Sequence, residues 1–135
     1  MKRVLVAILV FCAGLLAQNI QYRPDPSWRP PDSAAARVNP LAGSPELTAG
    51  GRKLFQRQCA QCHGVAGEGL KVKKAADLQL PVVQQQSDGA LFWKITNGNP
   101  RRAMPSFSGL PEMQRWQIVL YLRTLPSTEK SDAKY

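Results

Sequence analysis

The chain contains three cysteines and one histidine. Two of the cysteines and the histidine fall within five consecutive positions, Cys59-Ala60-Gln61-Cys62-His63. Thiols and an imidazole ligate metals, exchange disulfides and act as nucleophiles, and each chemistry makes its own demand on spacing. A structural zinc site requires four protein ligands, and no second ligand pair follows. A redox-active CxxC wants a βαβ context, whereas the chain reads as helical. A disulfide between Cys59 and Cys62 closes a very small loop and stabilises little. A nucleophilic thiol needs its base opposed in space and oriented by a third group, a geometry that sequence neighbours serve poorly.

Cys-x-x-Cys-His is also the attachment pattern of a c-type haem. Two thiols separated by two residues can form thioethers to the two vinyl groups on one porphyrin edge, and the next residue aims its imidazole at the iron. This reading leads, with zinc and a redox disulfide as the alternatives. The second axial ligand follows by elimination. His63 is the single histidine, so a bis-histidine iron is excluded, and the methionines are Met1, Met104 and Met113. Met113 stands where ordinary packing or solvent contact is expected. Met104 lies in RRAMPSF, where Pro105 favours an extended segment, so a loop can hold its sulfur against the opposite haem face.

The elements that must position these groups are three helices. SPELTAGGRKLFQRQ is predicted as the first, with Ser44 as cap, Pro45 in the first turn and Leu47, Leu54 and Phe55 on one face. Gly50 and Gly51 lower helix propensity there and are expected to mark a close helix crossing. SDGALFWKITNGNP is the second, capped by Ser87, facing inward with Leu91, Phe92 and Ile95, and stopped at Asn97-Gly98. GLPEMQRWQIVLYLRTLP is the third, opened by Pro111 and closed by Pro126, with Trp116, Val119 and Leu122 as its apolar stripe. The connection Gly64–Gln86, with its KVKK and QQQ runs, is predicted to be a long loop. Three short helices make a thin core that a large apolar cofactor would complete.

The chain ends divide as follows. Residues 1–17 read as a signal sequence, with Lys2 and Arg3 before the apolar run Val4–Ala17, which is shorter than the ~20 residues of a membrane span. An uncleaved anchor is the alternative, and Cys12 follows Phe11 rather than the small residue a lipoprotein site wants. Residues 18–45 carry Pro24, Pro26, Pro30, Pro31, Pro40 and Pro45 and read as an extended linker or docking arm. Tyr22 and Trp28 within it are expected to fold back on the domain or to anchor a partner. Residues 46–126 form the domain, and 127–135 a polar tail. The formal charge of +9 points to acidic protein partners or an anionic membrane surface. Nucleic acid is disfavoured, because no basic-aromatic binding motif appears.

Over about Thr48 to Leu125 the sequence resembles the class I, monohaem c-type cytochromes of bacterial periplasmic type. Gly51-Arg-Lys-Leu-Phe55 looks like the family's first helix, and Ile118 and Tyr121 look like its partners on the last helix. Ile95-x-Asn97-Gly98 followed by Met104-Pro105 looks like the Met-ligand region. LFWKITNGNPRRAMPSFSGLPEMQRW is similar to cytochrome domains serving periplasmic dehydrogenases and terminal oxidases. The resemblance implies an all-α, small cytochrome c fold in which three main helices surround one covalent haem c. It departs at Ala76, where the family has a proline whose carbonyl receives the imidazole hydrogen bond. The expected activity is outer-sphere electron transfer by an exported protein, free or docked in a dehydrogenase or oxidase complex. The cofactor would be held by Cys59 and Cys62, with His63 and Met104 on the iron. Arg101, Arg102, Lys71, Lys73 and Lys74 would surround the exposed edge and steer an acidic redox partner. A haem enzyme such as a peroxidase would need distal acid–base groups, and a second histidine is missing.

Overall fold

The computed structural model describes residue 19 and residues 21–127. The expected signal or anchor at 1–17, including Met1 and Cys12, and nearly all of the polar tail lie outside the described residues. The described residues are helical, as the sequence predicts. Six α-helices follow one another: α1 (Asp32–Ala35), α2 (Thr48–Gln58), α3 (Ala60–His63), α4 (Pro81–Gln84), α5 (Asp88–Asn97) and α6 (Glu112–Leu122). Among the described residues there is no strand, and Asn99 and Met104 form an isolated antiparallel bridge.

The first long helix begins later than its sequence suggests. Ser44 makes no side-chain cap bond, and a 3₁₀ turn, Pro45–Leu47, precedes α2. Pro45 pre-sets the tight first turn, and such turns are common at helix starts. The helix then crosses α6 closely. A Cβ on Gly51 would stand 2.0 Å from the backbone oxygen of Gln117. At Gly50 it would meet the Gln117 side-chain nitrogen at 3.0 Å, so Gly51 is the contact point. One turn on, the Phe55 and Tyr121 rings are tilted against each other with centroids 5.2 Å apart.

α5 is built as predicted. The Ser87 hydroxyl accepts from the Ala90 amide at 3.1 Å and donates to the Ala35 carbonyl at 2.6 Å. Leu91, Phe92 and Ile95 are buried, and Phe92 stacks on Trp116 at 3.9 Å between centroids. The predicted loop between the first two long helices contains a 3₁₀ turn (Lys71–Lys73) and α4. Its glutamine run has structural work: Gln84 Nε2 donates to the carbonyls of Leu78 and Leu122. Arg123 at the end of α6 pairs with Asp88 at 2.7 Å and donates to the Gln84 carbonyl at 2.7 Å.

Residues 21–45 are not a free linker. They include one helical turn, α1, whose last carbonyls find partners such as Ser87. Asn39 is buried, donating to the Trp116 carbonyl at 3.1 Å and accepting from the Leu41 amide at 2.9 Å. Leu41 joins the hydrophobic core. Packing therefore continues across residue 45. No helix among the described residues is long and apolar enough to cross a membrane.

Candidate functional site

α2 runs on into the cysteine motif, because the Cys59 amide donates to the Phe55 carbonyl at 2.8 Å and the His63 amide to the Cys59 carbonyl at 2.9 Å. The chain then turns sharply, with Gly64 at φ +79°. Cys59, Cys62 and His63 all line one cavity, mainly apolar, of about 1120 Å³ including the solvent in its mouth. Phe55, Leu78, Leu91, Ile95, Ile118 and Leu122 supply apolar wall. The thin core expected from the sequence has a cavity within it, walled by these side chains.

The imidazole is fixed by its second nitrogen. His63 Nδ1 stands 2.9 Å from the Ala76 carbonyl oxygen. A carbonyl only accepts, so Nδ1 carries the proton and Nε2 keeps its lone pair. Burial pushes the His63 pKa down against the opposing effect of the Ala76 bond, which favours the neutral ligand form. The departure at Ala76 therefore leaves the contact intact. Its position depends on Gly69, where φ is +69° and a Cβ would lie 2.6–2.7 Å from the Ala76–Asp77 backbone. The loop is further tied by Gly69 N to His63 O at 2.7 Å and Leu70 N to Cys62 O at 2.9 Å.

Among the described residues, Cys59 and Cys62 form no disulfide. Burial, with Cys62 adding to it, pushes the Cys59 thiol up to about 12. Such a thiol stays protonated near neutral pH and is a poor thiolate nucleophile. Among the described residues, no group of three or more His, Cys, Asp or Glu side chains stands together to hold an ion. The described residues therefore offer no four-ligand structural zinc set.

Met104 lines the same cavity as the motif. Its loop is a tight one: Asn99 N donates to Met104 O at 2.9 Å and Met104 N to Asn99 O at 3.0 Å, around a 3₁₀ turn, Pro100–Arg102. Gly98, at φ +66°, ends α5 and lets Met104 and Pro105 pass within 2.5–2.6 Å of where a Cβ would be. Met113 is half exposed on α6 and is no part of the cavity wall.

Tyr22 and Trp28 face this cavity as well. Of the basic residues singled out in the sequence, Lys74 and Arg102 line its wall. Lys71, Lys73 and Arg101 are exposed and lie outside the lining. Sequence reasoning missed Lys94, which also lines the cavity and whose pKa burial pushes down, Asp25 opposing. A lysine on an amphipathic helix gives no advance sign of that role.

The residues fit a haem: an apolar slot, two thiols at its wall, an imidazole with a free Nε2 and a thioether on the same lining. Fold and site together define a c-type cytochrome domain. The family model for cytochrome c oxidase, cbb3-type, subunit III matches residues 46–122, more than half of the chain, and the chain belongs to that family. No curated protein matches the chain.

Proposed function

We propose that this protein transfers electrons through one haem c, held covalently by Cys59 and Cys62 with His63 and Met104 as axial ligands. What supports the reading is that all four side chains line one apolar cavity and that the Ala76 carbonyl fixes the His63 tautomer. When bound, haem c supplies a one-electron couple. The chain's own part is to orient the imidazole, offer the thioether and exclude water from the iron's surroundings. Thioether ligation and low polarity both favour the reduced form and raise the potential. With His63 and Met104 both held toward the iron, a small substrate would have no place on it, which favours transfer over catalysis.

The second reading is a haem subunit docked in a larger respiratory complex, favoured by the family's description as an oxidase subunit. It differs from the first in partner, not in site. Export to the outer face of the cytoplasmic membrane suits both. Co-purification of the protein with a membrane oxidase activity supports the docked form, and recovery as a free carrier in the soluble fraction supports the first.

The test of ligation is the optical spectrum of purified holoprotein, oxidised and reduced. The expected result is sharp low-spin bands with the weak Met-sulfur-to-ferric-iron feature, lost in Met104→Ala while the haem stays covalently attached. High-spin bands in the unsubstituted protein would overturn His63/Met104 ligation.

A further inference from the structure

We propose that the segment Tyr22–Trp28 is a positioning strap that holds the Met104 loop in place; this rests on reading Met104 as an axial ligand. The segment lies before the family match, which begins at residue 46. Its contacts converge on the stretch leading into Met104. Trp28 Nε1 donates to the Gly98 carbonyl at 2.9 Å, and the Lys94 ammonium lies 4.6 Å from the Trp28 ring centroid. Asn99 Nδ2 donates to Asp25 Oδ2 at 3.3 Å, and Arg101 to the Ser27 hydroxyl at 3.3 Å. Arg102 donates to the Arg23 carbonyl and places its guanidinium 5.7 Å from the Tyr22 ring centroid.

The strap is itself preorganised. Asp25 Oδ1 accepts from both the amide and the hydroxyl of Ser27, and the Trp28 amide donates to the Asp25 carbonyl at 3.1 Å. Its other end is tied to the histidine side of the cavity. The Tyr22 amide donates to Asn19 O, while Asn19 Nδ2 donates to the Ala75 carbonyl at 2.6 Å, one residue before the carbonyl that fixes His63. The strap thus runs from the segment that orients His63 to the segment that carries Met104, and its two aromatic rings line the cavity between them.

The Met104 loop needs such support. It places two adjacent cations, Arg101 and Arg102, before Ala103, which sits in the left-handed region at φ +58°, a strained conformation for a residue with a β-carbon. A loop under strain and like-charge repulsion releases a weak thioether ligand easily unless other contacts hold it.

The experiment uses holoprotein and its Trp28→Ala and Asp25→Ala variants. The readouts are the ferric Met-sulfur band, the reduction potential and the affinity of the ferric protein for added imidazole, which must displace Met104. Trp28→Ala is expected to bind imidazole about tenfold more tightly, equivalent to about 1.4 kcal/mol, with a weaker sulfur band and a lower potential. Asp25→Ala, which removes the carboxylate that accepts from Ser27 and Asn99 but leaves the cavity lining untouched, is expected to shift all three the same way by a smaller factor, and it carries the test if Trp28→Ala does not fold. Variants with an unchanged band and imidazole affinity within about twofold would overturn the strap while leaving the ligation reading standing. Absence of the sulfur band in the unsubstituted holoprotein would overturn the ligation reading itself, and the strap with it.

Discussion

Asp77 has no exposed surface, and among the described residues its Oδ2 has no hydrogen-bond partner, while Oδ1 accepts from the Gln79 amide at 2.9 Å. Burial pushes its carboxyl pKa up, the Gln79 bond works against the shift, and the Glu68 charge adds to it. A carboxyl with a raised folded-state pKa binds its proton more tightly folded than unfolded. Its stabilising contribution is therefore full below the ordinary carboxylate value of about 4 and is lost as pH rises through the folded value. Asn keeps the acceptor for Gln79 and has no charge to bury. The Asp77→Asn holoprotein is expected to be more stable than the unsubstituted protein at neutral pH, the advantage shrinking towards acid. Urea midpoints across pH check this, and a constant offset at every pH would count against a titrating Asp77.

At the scale of the elements, the α2–α6 crossing carries most of the long-helix packing, and its two glycines are not equivalent. Gly51→Ala sets a β-carbon on the Gln117 backbone, which cannot step aside, and is expected to cost about 1–3 kcal/mol. Gly50→Ala meets only the end of a flexible side chain and gains helix propensity, so it is expected to be neutral or stabilising by up to about 1 kcal/mol. Denaturant unfolding of the two variants, compared side by side, measures the difference. The sequence made this crossing visible because a glycine pair inside an apolar stripe has few other reasons to be there. The Ser87 cap and the α6 stripe were equally legible, since each depends on neighbours within one or two turns. The pentad singled out Cys59, Cys62 and His63 by the same kind of local pattern, and Pro105 singled out Met104; that all four line one cavity is what the sequence could not display. The strap was not legible. Its bonds go to main-chain carbonyls and cations some seventy residues away, and nothing in a proline-rich composition records which carbonyl will be opposite. α1 and α4 were hidden too, being single turns whose stability comes from what they pack against rather than from their own pattern.

For the molecule as a whole, the net positive charge is unevenly useful. Lys74, Lys94 and Arg102 border the cavity, whereas Lys71 and Lys73 are exposed away from its lining. If an acidic redox partner approaches the cavity mouth, transfer rates fall as salt screens the attraction beyond about 10 Å. Charge reversal at Lys74 is expected to slow transfer to an acidic partner at low ionic strength several-fold more than reversal at Lys71. Stopped-flow rates across ionic strength check this, and a flat salt dependence would remove electrostatic steering altogether.

The way Asn19, Trp28 and Asn39 are engaged also sets an order of events. Their hydrogen bonds reach partners 56, 70 and 77 residues further along the chain. A chain that emerges from its N-terminus presents this arm before its partners, which follow in turn at Ala75, Gly98 and Trp116. Such distant pairings form late, because the loop entropy must be overcome before any contact compensates for it. The arm shares this property with the core it covers, whose crossing joins Phe55 to Tyr121, so arm and core both wait for the last helix.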